Sequence, residues 1–68
     1  MAKPQKYKTV VKFLRSMGWT LQRQGKGSHE VWAGPDGGRL VIPHHREISA
    51  GVVADIIKKV PNTPKNWK

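Results

Sequence analysis

Residues 19–45 decide the fold. They read Trp19-Thr20-Leu21-Gln22-Arg23-Gln24, Gly25-Lys26-Gly27, Ser28-His29-Glu30-Val31-Trp32-Ala33, Gly34-Pro35-Asp36-Gly37-Gly38, Arg39-Leu40-Val41-Ile42-Pro43, and close on His44-His45. The first run alternates, with Trp19, Leu21 and Arg23 predicted on one face and Thr20, Gln22 and Gln24 on the other, as in a strand. Gly25-Lys26-Gly27 then turns the chain. Ser28–Ala33 and Arg39–Pro43 carry the next two strands, the last with the β-branched pair Val41-Ile42. Gly34–Gly38 is a dense turn signal between them. Links this short between consecutive strands favour an antiparallel meander.

Outward from this core, a helical pattern stands on each side. Val10, Phe13, Leu14 and Met17 keep the i, i+3, i+4, i+7 spacing of one buried face, which predicts a helix from Tyr7 or Thr9 to Met17. Thr9 is a possible N-cap, and Gly18 suits the left-handed position that ends a helix. Val53, Ile56, Ile57 and Val60 repeat the stripe. Ser49 is its expected N-cap, with Ile48 and Val53 as a hydrophobic staple; Lys58 and Lys59 complement the last turn, and Pro61 stops the helix. The order is αβββα. Two amphipathic helices and a three-stranded sheet bury most apolar surface with both helices on one sheet face. The class is α+β, and the order is that of double-stranded-RNA-binding domains. Residues 1–68 are read as one domain with its core at about 7–60, and 61–68 as a loosely held basic tail.

Composition narrows the function. The 68 residues carry 13 Lys and Arg against 4 Asp and Glu, a net charge of +9. Residues 1–34 hold seven Lys and Arg against Glu30 alone, and residues 35–68 six against three acids, so both halves are basic. A compact domain this basic attracts polyanions, nucleic acid before acidic protein. A domain of this size buries only about 60% of its unfolded surface, which leaves no room for a cofactor cavity, and no small-molecule cofactor is expected. The chain has no cysteine, which excludes disulfides and thiolate metal sites. Small secreted domains usually need such staples, so a cytoplasmic location is expected. No apolar run approaches the ~20 residues of a membrane span, and the first residues lack the apolar segment of a signal peptide.

The reactive inventory is short: His29, His44, His45, four carboxylates, Tyr7 and a few hydroxyls. His29 follows a glycine-flanked turn, and Lys26 is close enough in sequence to hold a phosphate near an imidazole. An imidazole near neutrality can take or give a proton. On the residues alone, a lone strand histidine such as His29 is more often a surface or packing residue than a catalytic one. His44 and His45 are adjacent at a strand end and point in different directions. Neither pattern matches a zinc spacing, so no metal site is predicted. Ser28 is a poor nucleophile partner for His29, because strand neighbours face opposite sides.

Met17-Gly18-Trp19, Gly27-Ser28-His29, Asp36-Gly37, Pro43-His44-His45 and the segment Glu47–Val52 stand in an order and spacing that resembles the HicA family. These are the short mRNA-cleaving toxins of HicA–HicB toxin–antitoxin pairs. The resemblance runs over roughly Tyr7 to Val60. It implies a double-stranded-RNA-binding-domain-like fold, ribonuclease activity without a metal, a catalytic role for His29, and a HicB-like antitoxin that covers the site. The inventory fits that chemistry. His29 would be the base or acid and His45 a second proton-transfer group, with Lys26, Arg23 and Ser28 on the RNA. Two other readings use the same basic surface: a non-catalytic RNA-binding module, and a domain that docks an acidic protein.

Overall fold

The computed structural model describes residues 2–68. Three strands, β2 (Thr20–Gln24), β3 (His29–Ala33) and β4 (Arg39–Pro43), form an antiparallel sheet in the order β2-β3-β4. Trp32 pairs with Leu40 and Glu30 with Ile42, and these four residues are buried. The residues between them, Val31 and Val41, pair on the opposite, open face, where Val41 is 52% exposed. Strict alternation on β3 and β4 thus gives the sheet one dry face and one wet one.

Both helices lie on the dry face. The first, α1, spans Tyr7–Ser16 and buries Val10 and Leu14, with Phe13 and Met17 packed beside them. It starts without a side-chain cap; Thr9 lies inside the first turn instead of preceding it, so the expected cap there is corrected. Gly18 ends the helix at φ +86°, a conformation that costs glycine little. The second helix, α2, spans Ala50–Lys59 and buries Val53 and Ile56. The Ser49 hydroxyl accepts from the Val52 N–H at 3.4 Å, the expected cap. The Arg15 guanidinium of α1 lies 5.5 Å from the Trp32 ring centre. The α+β class and the two-helix, three-strand arrangement follow the reading of the sequence.

Three features depart from it. First, Leu21 pairs with Trp32, but Arg23 pairs with Val31, because the register shifts between them. This β-bulge places Leu21 and Arg23 on opposite faces, not on one. Every residue of β2 is exposed, since the helices cover only β3 and β4. Second, a two-stranded antiparallel sheet joins β1 (Gln5–Lys6) to β5 (Glu47–Ile48), and Tyr7 N–H donates to the Arg46 carbonyl at 3.1 Å. This pins the start of α1 to the segment after β4. Third, the chain beyond Pro61 is not loose. Trp67, in a single 3-10 turn over Lys65–Trp67, is 1% exposed and meets the Phe13 ring edge-on at 5.2 Å. Lys3 N–H donates to its carbonyl at 2.7 Å. Burial of this large indole offsets part of the cost of ordering the tail.

Candidate functional site

The turn between β2 and β3 builds the first part of the site. Gly25 N–H donates to the His29 carbonyl at 2.7 Å, and His29 N–H to the Lys26 carbonyl at 3.2 Å. Gly27 stands at φ +60°, which lets the chain reverse within three residues. The same Lys26 carbonyl lies 3.1 Å from His29 Nδ1. A carbonyl can only accept, so Nδ1 carries the proton and Nε2 of the neutral ring is left with its lone pair. His29 is exposed on the open sheet face, with Nε2 available as a base.

The end of β4 supplies the second part. His44 N–H donates to the Ser28 carbonyl at 2.7 Å, which carries the β3–β4 ladder one step past Pro43. The next residue, His45, brings Nε2 to 2.8 Å from the Ser28 hydroxyl. The ladder therefore joins Lys26, Ser28, His29 and His45 at one end of the sheet. His45 touches Ser28, the neighbour of His29, not the His29 ring itself. Lys26 stands exposed in the turn. Arg23 reaches the open face through the bulge, where its partner Val31 lies two residues along β3 from His29. That spacing is about 7 Å along a strand.

His44 packs toward α1 and the buried Glu30, beside a cleft that His45 also lines. Its ring lies on the Tyr7 ring with centroids 4.1 Å apart and planes 9° apart. Its Nδ1 is 3.1 Å from Glu30 Oε2. Glu30, only 3% exposed, is the residue that reading the sequence missed. Its carboxylate also accepts from the Tyr7 hydroxyl at 2.6 Å and from Trp32 Nε1 at 3.2 Å. Three donors offset the cost of burying an acid. The available signal was phase: Glu30 and Trp32 are two apart on one strand, so both face inward. Burial and the bond to Glu30 push the Tyr7 pKa up to about 12, with the carboxylate's charge adding to the rise and Arg15 opposing it.

Two clefts flank the sheet. One of about 620 Å³ lies against these groups, lined by Lys6, Tyr7, Lys8, His44, His45, Arg46 and the acid Glu47. The other, about 670 Å³, sits at the far end between Trp19, Pro35, Arg39 and Lys59 and has no imidazole. No helix among the described residues is long and apolar enough to cross a membrane.

The chain matches the family model described as the HicA toxin of bacterial toxin–antitoxin over residues 7–60. Nothing matches among curated proteins or among solved structures.

Proposed function

The chain belongs to the HicA toxin family, a toxin of toxin–antitoxin systems, and from that premise we propose that it is an endoribonuclease that cuts mRNA by histidine acid–base chemistry without a metal. The observation that carries this reading is the His29 ring, held by the Lys26 carbonyl with Nε2 bare and exposed. In the reaction, the 2′-hydroxyl of the RNA gives its proton to His29 Nε2 as its oxygen bonds to the adjacent phosphorus. The bond from phosphorus to the 5′-oxygen breaks, and that oxygen takes a proton from His45. The products are a 2′,3′-cyclic phosphate and a 5′-hydroxyl. Lys26 and Arg23 stabilise the charge on the phosphorus oxygens. Ser28 holds the His45 ring through its hydroxyl and sits against the RNA.

DNA lacks the nucleophile and is spared. The site lies on an open, basic surface, which suits an acidic HicB-like antitoxin as the partner that covers it in the cytoplasm. Incubation of the purified protein with an RNA and the DNA of the same sequence, both in excess EDTA, tests the reading. The expected result is cleavage of the RNA alone, with cyclic phosphate ends. Uncut RNA, or cleavage that needs added Mg²⁺ or Zn²⁺, overturns it.

A further inference from the structure

The histidine chemistry leaves His44 unused, yet it is the most elaborately held imidazole in the molecule. One face of its ring lies on Tyr7, and Nδ1 is fixed by Glu30. The side chain is nevertheless 55% exposed, so the face away from Tyr7 meets the cleft. An exposed imidazole held at only one point would rotate freely; this one is locked flat before any ligand arrives, which lowers the entropy cost of stacking on it. Lys6, Lys8 and Arg46 stand around the same cleft, with Glu47 the one acid on its rim. A cleft of about 620 Å³ falls within the size range of small-molecule and nucleotide sites.

We propose that this cleft binds one unpaired nucleotide of a single-stranded RNA, with its base stacked on His44 and its phosphates on Lys6, Lys8 and Arg46. The proposal rests on the ribonuclease reading for its choice of RNA as the polymer. Flat aromatic platforms with cations beside them are how proteins hold single strands irrespective of sequence. A base inside a duplex has both faces covered and cannot use the platform. His45 lines the same cleft and bonds to Ser28, so the stacked nucleotide lies next to the cleavage site and fixes the strand's register there.

The test uses a short single-stranded oligoribonucleotide made uncleavable by 2′-O-methylation, with the fluorescent base 2-aminopurine, and the intact protein. Binding should quench the fluorescence, as stacking does. His44→Leu should weaken binding by about 5- to 150-fold and abolish the quench, while His44→Phe, which keeps a flat ring but loses the bond to Glu30, should keep the quench and most of the binding. The same oligonucleotide annealed to its complement should bind the wild type and His44→Leu alike. Unquenched binding by the wild type overturns the proposal, and this arm requires no variant to fold. Equal binding of the single strand by a folded His44→Leu protein overturns it too, as does an equal loss on the duplex. Because the probe cannot be cut, the two readings fail separately. Intact RNA with a His44-dependent quench removes the ribonuclease and leaves the platform, and cleavage without a quench does the reverse.

Discussion

The phenol of Tyr7 and the imidazole of His44 lie face to face, 4.1 Å between ring centres, and both bond to the one buried carboxylate, Glu30. These contacts join α1, β3 and the segment after β4 at one end of the sheet. The network therefore sets where the loop bearing His45 leaves the sheet, as well as the ring orientation of His44.

Tyr7 is the chain's single tyrosine, so its ionisation can be read directly from tyrosinate absorbance. Its pKa in the folded protein is pushed up to about 12, from an ordinary value of 10.0. The neutral phenol is thus favoured by folding. The stabilisation is fully present below pH 10 and is lost as pH rises from 10 through about 12. Alkaline titration should show one late transition, and Tyr7→Phe should remove this part of the alkaline destabilisation. A midpoint near 10 in folded protein contradicts the network.

His29→Ala should lower the rate of RNA cleavage by about 10²- to 10⁴-fold, the usual contribution of a positioned acid or base. Its fold should survive, since an exposed substitution of this kind usually changes stability by within about 0.5 kcal/mol. Circular dichroism and cleavage assays on the same preparation check both halves. His45→Ala should show a loss of similar order if it protonates the leaving oxygen; a mild loss assigns it to binding. A folded His29→Ala protein that cuts at the parental rate removes His29 from the chemistry.

Arg23 faces the open side of the sheet and belongs to a fully exposed strand. Arg23→Gln should reduce the dependence of log affinity on log salt by about 0.7 for single-stranded RNA, the release of one phosphate contact. Lys12, exposed on the helical layer, is the control, and Lys12→Gln should leave the slope unchanged. Equal slopes for Arg23→Gln and the parent protein would take the RNA off the open face.

Trp67 is the test of the closing segment. Trp67→Ala should cost about 3–5 kcal/mol, the usual range for emptying a buried aromatic site, and should lower the urea midpoint accordingly. A midpoint unchanged from the parent would mean that the segment after Pro61 contributes nothing to the core.

The two helices and three strands were legible because each repeats a period long enough to read: Val10 to Met17 and Val53 to Val60 at helical spacing, and β3 and β4 at a spacing of two. The bulge in β2 was not legible, because one extra residue resets the phase and composition does not mark it. The pairing of Gln5-Lys6 with Glu47-Ile48 was hidden for a related reason, since two residues make no periodicity. In the site, the Lys26–His29 turn was legible from its glycines. The contact of His45 with Ser28 depends on how far the β3–β4 ladder continues past Pro43, which only the three-dimensional register decides. Trp67 stood outside any pattern, and its burial depends on Phe13 and Lys3, more than fifty residues earlier in the chain.

The irregularity that turns Arg23 outward also affects how copies of this chain meet. β2 is a border of the sheet, and a straight border strand with unpaired amides and carbonyls is a template on which a second molecule can zip up. Between Leu21 and Arg23 the register slips, so no long flat row of such groups is offered. The strand reads Thr-Leu-Gln-Arg-Gln, with a cation in it and a net charge of +9 on the molecule behind it. Kink and repulsion together disfavour edge-to-edge pairing of two copies along β2.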